Sequence, residues 1–164
     1  MAFAAQFIEQ LKTPSRGPLL AAHPGSGGRH KIWPAPRFAA LMEMAAAEKG
    51  ARWLLIRGPA DAKPCAEVQE NLPRVKPIIV EGLSLVHLAS VLSACAGYVG
   101  NDSGITHIAA AVGTPTVAVF GPTDPAVWGP LGENACVVSA SPPSWPSAEQ
   151  VWRSLSRLVS AGQS

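Results

Sequence analysis

The stretch YVGNDSGITHIAAAVGTPTVAVF, residues 98–120, alternates a short apolar run, a polar turn, an alanine-rich run and a second apolar run. The apolar runs have strand length and lack polar alternation, which is typical of parallel strands covered on both faces. The alanine-rich run has the length of a helix. A strand, a helix and a strand in this order predict a parallel α/β sheet.

The same rhythm continues along the rest of the chain. Its order predicts a doubly wound α/β domain, with a mostly parallel sheet and helices on both faces. Further strand-length runs lie at 18–24, 52–58, 77–82 and 135–140, and helical patterns lie at 36–50, 61–71, 84–97 and 147–161.

Proline, serine and glycine residues mark the ends of the predicted helices. Pro36 fits the first turn of its helix, and Ser84 fits the N-cap of another. Gly50, Gly97 and Gly113 follow helical runs, where a left-handed residue commonly ends a helix. We therefore predict helix boundaries at these positions.

The N-terminal segment differs from the rest of the chain. Residues 2–12 have helical spacing, and TPSRGP at 13–18 resembles a linker. We expect residues 1–17 to form an N-terminal helix and linker, and residues 18–164 to form a single α/β domain. The apolar side of this helix is expected either to cover part of a docking face or to drive self-association.

Composition excludes several classes of protein. The formal charge is +2, with 13 Lys+Arg against 11 Asp+Glu and no basic block, so a nucleic-acid-binding protein is not expected. The odd and widely spaced Cys65, Cys95 and Cys136 are expected to be reduced thiols. The sequence shows no signal peptide and no apolar run of membrane-spanning length, which predicts a cytoplasmic protein without a transmembrane segment.

Three polar loops follow strand-length runs, at the edge where open α/β sheets bind ligands. They are HPGSGGRHKIWP at 23–34, the turn at 101–104 and FGPTDPAVWGP at 120–130. The first lacks the spacing of a P-loop and of the G-x-G-x-x-G fingerprint. This glycine-rich loop is therefore either a flexible surface turn or an unusual phosphate site.

The turn at 101–104 precedes a helix, whose N-terminal N–H groups and positive dipole end attract anions. Gly104 lets a ligand approach the backbone, Ser103 can add a hydroxyl, and His107 lies one turn further along the same side. Two alternatives stay open, because Asp102 fits a simple helix cap and His107 fits a hydrogen-bonded core histidine.

Lys31 is the cation best placed to reach a phosphate from the glycine-rich loop. A charge-assisted contact of this kind contributes roughly 1.5–3 kcal/mol. Arg29 and His30 are expected to face solvent. No D-x-D pair, His/carboxylate cluster or G-x-S-x-G elbow occurs, which disfavours a metal-bound diphosphate and a serine hydrolase.

Taken together, the elements H-P-G…K-x-W-P, N-D-S-G-x-x-H and F-G-P-T-D-P keep a specific order and spacing. They closely resemble the C-terminal, nucleotide-sugar-binding half of the ADP-heptose:lipopolysaccharide heptosyltransferases, glycosyltransferase family nine of GT-B architecture. The resemblance runs from about residue 19 to residue 138.

The resemblance implies a Rossmann-like donor domain for ADP-heptose or a related nucleotide sugar. It implies inverting transfer to the lipopolysaccharide core, with neither metal nor cofactor. Lys31 would contact the phosphates and stabilise charge on the leaving group, which is the catalytic role assigned in this chain. The donor-binding residues implied are Ser26, Gly27, Lys31, Asp61, Leu83, Asp102, Ser103, Gly104, Ile105, His107 and Thr123.

Some of these residues have more specific implied roles. The resemblance puts Leu83 at the adenine and Thr123 in a loop that faces the donor. It puts Asp61 near the ribose, although a solvated loop carboxylate is the alternative. Asp102 and Ser103, with the residues that follow them, would enclose the diphosphate and the sugar.

The family pattern also includes an N-terminal domain that binds the acceptor and supplies an aspartate base, and residues 1–17 do not match it. We therefore expect transfer to require a missing half, whose lipopolysaccharide acceptor would bring the full enzyme to the membrane surface. Two alternatives are a non-catalytic nucleotide-sugar-binding module and a GT-B-like domain, either a transferase or an epimerase, for a different nucleotide sugar.

Overall fold

The computed structural model describes residues 2–10, 17–141 and 144–161. In chain order the elements are α1 (Ala2–Gln10), β1 (Leu19–His23), a 3₁₀ turn (Arg29–Lys31), α2 (Ala35–Lys49), β2 (Arg52–Arg57), α3 (Ala62–Glu70), β3 (Ile78–Glu81), α4 (Leu85–Ser93), β4 (Gly97–Asn101), α5 (Gly104–Ala111), β5 (Thr116–Phe120), α6 (Pro125–Trp128), β6 (Ala135–Ser139) and α7 (Ala148–Ala161).

The strands of this part of the chain form one sheet in the order β3-β2-β1-β4-β5-β6, and every pair is parallel. The order reverses direction between β1 and β4, where His23 lies opposite Gly100. Such a reversal opens a crevice at the carboxyl ends of the two strands. The predicted doubly wound, Rossmann-like α/β fold is confirmed.

Helices cover both faces of the sheet because successive strand side chains point to opposite sides. Leu20 and Ala22 of β1 pack in a core cluster with α2, α3 and α7. Leu19 and Ala21 pack in a second cluster with α1, α4 and α5. The centre of β1 is therefore apolar on both faces, as its sequence indicated.

Most of the predicted helix boundaries are confirmed. Pro36 lies in the first turn of α2, and Gly50 ends that helix with φ 63°. The Ser84 hydroxyl accepts a hydrogen bond from the backbone N–H of His87 at 3.2 Å, which caps α4. Gly113 follows α5 with φ 82°.

The prediction for Gly97 is wrong. This glycine begins β4 and does not end a helix, and its φ is not positive. A Cβ there would lie 2.8 Å from Val159 Cγ2 and 3.0 Å from Leu155 Cδ1, both on α7. Gly97 therefore lets α7 lie close against the sheet.

The N-terminal helix packs within the chain. Phe3 of α1 stacks on His87 of α4 with ring centroids 3.9 Å apart, and Phe7 and Ile8 join the same core cluster. These apolar side chains are thus partly buried against the α/β domain, and a docking face or self-association stays a prediction. The predicted end of this helix at residue 12 and most of the linker lie outside the described residues. Within the described ranges, no helix is both long and apolar enough to cross a bilayer.

Candidate functional site

The candidate site lies at the carboxyl ends of β1 and β4, where the strand order reverses. The buried side chain of Asn101, at the end of β4, holds the glycine-rich loop that follows β1. Its Nδ2 donates to the carbonyls of Pro24 at 2.9 Å and Gly25 at 3.2 Å, and its Oδ1 accepts from the backbone N–H of Trp33 at 2.9 Å. One amide therefore fastens both ends of this loop.

Two further contacts fix the glycine-rich loop. The Ser26 hydroxyl donates to the carbonyl of Asp102 at 2.8 Å. The fully buried Trp33 donates through Nε1 to the carbonyl of Pro146 at 2.9 Å. The interpretation of this loop as a flexible surface turn is therefore wrong. Gly27 lies exposed at its tip, and a Cβ there would have no heavy atom within 4 Å.

Lys31 ends the 3₁₀ turn and extends toward the turn before α5. Its Nζ lies 3.0 Å from Asp102 Oδ2, and the side chains are 27% and 7% exposed. Among the described residues this oxygen accepts no well-aligned hydrogen bond, so the contact is an ion pair. Asp102 is thus not a simple helix cap. Arg29 and His30 are exposed, as predicted.

The first turn of α5 faces the same space. Ser103 is the N-cap residue, but its side chain makes no capping hydrogen bond. The N–H groups of Gly104 and Ile105 have no acceptor within the helix, which leaves two donors at its positive end. A Cβ on Gly104 would have no heavy atom within 4 Å, so the space beside this turn is open.

The Ser103 hydroxyl instead belongs to a buried hydrogen-bond chain. It lies 3.2 Å from His23 Nδ1, and His23 Nε2 lies 2.9 Å from Asp61 Oδ2. The imidazole is only 3% exposed. A carboxylate only accepts hydrogen bonds, so Nε2 carries the hydrogen in this pair.

Asp61 is therefore not a solvated loop carboxylate, and that alternative is wrong. It also accepts a hydrogen bond from the backbone N–H of Gly58 at 2.9 Å. The hydrogen bond from His23 holds the pKa of the Asp61 carboxyl below its usual value, although burial opposes this. A contact between Asp61 and a ribose stays a prediction.

Thr106 supports the chain from within α5. Its hydroxyl donates to the carbonyl of Asn101 at 2.6 Å, so the Tyr98 hydroxyl, 3.0 Å away, donates to Thr106. Burial raises the pKa of Tyr98 above its usual value. Ser103 Oγ lies 3.3 Å from Thr106 Oγ1, a longer contact than the one to His23.

A second space opens beyond the carboxyl ends of β2 and β3. This cavity of about 600 Å³ is lined by apolar side chains that include Leu83 and Ile105, and it has Arg57 and Glu81 at its rim. Those two residues form an ion pair. The structure thus brings Leu83 to the same cavity as the first turn of α5, which sequence spacing alone did not show.

The loop after β5 completes the surroundings of Lys31. The ring of Trp128, which is 56% exposed, lies 5.9 Å from Lys31 Nζ. The buried Thr123 hydroxyl has no hydrogen-bond partner among the described residues. His107 is exposed, so its interpretation as a core histidine is wrong. The donor contacts of Thr123 and His107 stay predictions.

The described residues do not favour a metal-binding site or a nucleophilic cysteine. In that part of the chain, no three His, Cys, Asp or Glu side chains are grouped so as to hold a metal ion. The three cysteines are free, as predicted. Burial raises the pKa of Cys65 and Cys95 to about 12, so neither is a ready nucleophile.

Sequence reasoning assigned no role to three groups at this site: His23, Trp128 and the Arg57–Glu81 pair. It placed Asn101 only in the turn before α5 and missed its contacts with the glycine-rich loop. A weak signal existed for His23 and Asn101, because both are polar residues that end apolar runs at the carboxyl edge of the sheet. Trp128 carried no such signal, since it lies in a loop whose short helix, α6, was not predicted.

Known heptosyltransferases are similar to this chain in sequence. Lipooligosaccharide heptosyltransferase 2 of Haemophilus influenzae is 31% identical over 139 residues, which cover 81% of this chain and 40% of that protein. Lipopolysaccharide heptosyltransferase 1 of Escherichia coli is 29% identical over 140 residues, which cover 85% of this chain and 43% of that protein. The chain thus spans less than half the length of these relatives.

Solved structures share the fold. The structure of E. coli ADP-heptose lps heptosyltransferase II matches 99% of this chain and 53% of its own, with a TM-score of 0.88 and 24% identity. The structure of E. coli heptosyltransferase WaaC with ADP matches 94% of this chain and 48% of its own, with a TM-score of 0.75 and 26% identity. The sequence model of glycosyltransferase family 9 (heptosyltransferase) matches residues 1–155. The chain therefore belongs to glycosyltransferase family 9, the heptosyltransferase family.

Proposed function

We propose that this chain is the donor-binding part of a heptosyltransferase and binds a nucleotide-diphosphate sugar such as ADP-heptose. The observation that carries the proposal is the approach of Lys31 to the first turn of α5. The ammonium lies 3.0 Å from Asp102, next to the unpaired N–H groups at the start of that helix. A cation and a helix N-terminus beside one open space form a suitable site for a diphosphate.

The ion pair of Lys31 with Asp102 supports this use of the ammonium. The carboxylate holds the lysine at the mouth of the proposed site. A diphosphate carries more charge than one carboxylate, so it can compete for the same cation. Asp102 is then available to accept hydrogen bonds from sugar hydroxyls.

The apolar cavity next to this site suits the base of the nucleotide. Leu83 and Ile105 offer flat apolar contact, and Ile105 connects the cavity to the diphosphate site through α5. WaaC was solved with ADP, and its fold matches most of this chain. We therefore place the adenine in this cavity and the diphosphate beside Lys31.

The proposed reaction is inverting transfer of heptose to the lipopolysaccharide core. An acceptor hydroxyl, deprotonated by a carboxylate of a second domain, attacks the anomeric carbon, and the nucleoside diphosphate leaves. Lys31 and the N–H groups of α5 stabilise the charge that develops on the leaving group. An electrostatic contact of this kind contributes on the order of 3–4 kcal/mol to catalysis. A divalent cation is not needed for these steps.

Calorimetric titration of this chain with ADP, UDP and GDP in the presence of EDTA tests the proposal. We expect ADP to bind best, and Lys31→Ala to weaken its binding by about tenfold or more. Arg29→Ala is the matched control, because it removes an exposed cation from the same 3₁₀ turn. A preference for UDP would exclude an ADP-sugar donor, and equal losses in both variants would exclude a specific role for Lys31.

A further inference from the structure

The chain Asp61–His23–Ser103 links a buried charge to the mouth of the proposed diphosphate site. Its contacts of 2.9 Å and 3.2 Å use both nitrogens of one imidazole. In neutral His23, Nε2 donates to Asp61, so Nδ1 must accept the hydroxyl hydrogen of Ser103. The outward side of Ser103 then presents only lone pairs, which do not favour an anion.

Protonation of His23 reverses the direction of the last hydrogen bond. In the imidazolium, both ring nitrogens donate, so Nδ1–H points at Ser103 Oγ. The hydroxyl hydrogen is then free to turn toward the site. Thr106 Oγ1, at 3.3 Å, is a neutral alternative acceptor, but a charged phosphate oxygen accepts more strongly.

We infer that His23 is a positioning residue that takes up a proton when a nucleotide diphosphate binds, so that Ser103 becomes a donor to the phosphates. This inference rests on the proposed function, because it needs a diphosphate at the first turn of α5. Asp61 stabilises the positive charge from within the protein. By linkage, a ligand that favours the protonated form takes up a proton and binds more weakly as the pH rises.

Charged and titratable groups face His23 from several elements. Asp61 faces it from the turn before α3, and the charges of Asp61, Arg57 and Glu81 all act on the buried Cys65 thiol. The pKa values of Cys65 and Tyr98 are raised, so neither ionises in the range of about pH 5 to 8 in which histidine changes charge.

The Lys31–Asp102 ion pair lies next to Ser103 in the chain fold. His30 and His107 are two further histidines, and both are exposed. Their contribution to proton uptake must be removed by comparison between variants.

The test is proton uptake, measured by calorimetry of ADP-glucose binding in buffers of different ionisation enthalpy near neutral pH. The diphosphate of this probe is esterified at both ends, so its own titration does not contribute. The variant His23→Gln keeps one donor and one acceptor but does not titrate. We expect the wild-type chain to take up roughly half to one proton more than His23→Gln.

Ser103→Ala provides a second comparison, because it keeps the imidazole and removes the hydroxyl that protonation of His23 would reorient. We expect it to lose the same uptake. The control His87→Gln makes the same substitution at an exposed histidine that stacks on Phe3, and should leave the uptake unchanged.

The outcomes separate the two proposals. Binding with equal proton uptake in the wild-type chain and His23→Gln would overturn the role of His23 and leave the proposed function standing. Failure of the wild-type chain to bind ADP-glucose would overturn both. If His23→Gln folds but does not bind, proton uptake is compared between the wild-type chain and Ser103→Ala instead. Equal uptake in these two proteins would overturn the role of His23.

Discussion

Gly104 is a residue whose proposed role in ligand binding can be tested separately from its role in the fold. It occupies the first position of α5, and a Cβ there would meet no heavy atom within 4 Å. Nothing in its packing within the chain requires glycine. We propose that the open space beside it holds the diphosphate, which a side chain at this position would obstruct.

We predict that Gly104→Ala keeps or raises the stability of the chain while it weakens nucleotide binding. Alanine favours a helix over glycine by up to about 1 kcal/mol. A methyl group at the helix N-terminus holds the phosphates away from the N–H groups, which should weaken ADP binding about five- to tenfold. Thermal unfolding and calorimetry measure the two effects. Unchanged ADP affinity would show that the phosphates bind elsewhere.

Asp61 makes stability depend on pH. Its carboxyl pKa is lowered from an ordinary value of 3.8, mainly by the hydrogen bond from His23. A carboxyl whose pKa is lower in the folded state contributes stability above its unfolded value, and this contribution is lost as the pH falls through the lowered value. We predict that the stability advantage of the wild-type chain over Asp61→Asn is constant above about pH 5 and shrinks as the pH falls below it.

Urea unfolding at a series of pH values measures this difference. Other carboxyls with lowered pKa values, such as Glu43, also contribute less to the free energy of unfolding in acid. Their contribution falls equally in the wild-type chain and in Asp61→Asn. A difference that stays constant over the whole range would contradict the assignment of the charge to Asp61.

At the residue scale, sequence identified groups by chemical type but not by their partners. Lys31 and Ser103 were predicted because a cation and a helix-capping hydroxyl have recognisable local contexts. The pairing of His23 with Asp61 joins residues 38 positions apart, and its pairing with Ser103 joins residues 80 positions apart. Contacts of this kind depend on the strand register, which local pattern does not determine.

At the scale of elements, prediction succeeded where apolar periodicity was strong. The strands and the longer helices were predicted because continuous apolar runs and helical spacing are direct consequences of burial on two faces. The 3₁₀ turn at Arg29–Lys31 and the short helix α6 were missed, since neither buries a side chain of its own. Their conformation is set by contacts with the rest of the site.

The glycine-rich loop supplies a prediction at this scale, because its glycines differ in their surroundings. A Cβ on Gly25 would lie 2.0 Å from Asp61 Oδ1, whereas a Cβ on Gly27 would meet nothing within 4 Å. We predict that Gly25→Ala displaces Asp61 and lowers the free energy of unfolding by about 1–3 kcal/mol, as other overpacked sites do.

Gly27→Ala is the matched control from the same loop and should change the free energy of unfolding by less than about 0.5 kcal/mol. Chemical unfolding of both variants measures the effect. Equal losses in the two variants would contradict the close approach of Gly25 to Asp61.

At the scale of the whole molecule, the parallel sheet explains why distant loops form one site. The strand order reverses between β1 and β4, so the loops that follow them face one crevice. This convergence could be predicted once a doubly wound sheet was expected. Which side chains meet in the crevice required the three-dimensional structure.

The relatives that this chain matches are more than twice its matched length, so transfer is proposed for a larger assembly and donor binding for this chain alone. Donor binding can therefore be tested without an acceptor. A transfer assay with a second domain present then distinguishes the donor domain of a transferase from a binding module. A chain that binds ADP-sugars but supports no transfer in that assay would be a binding module.

The most direct test of the central claim is a crystal structure of this chain with ADP, grown in EDTA. We predict that the phosphates lie within hydrogen-bond distance of Lys31 Nζ and of the N–H groups of Gly104 and Ile105. Phosphate density far from these groups, or density that appears only when a divalent cation bridges the phosphates, would contradict the account.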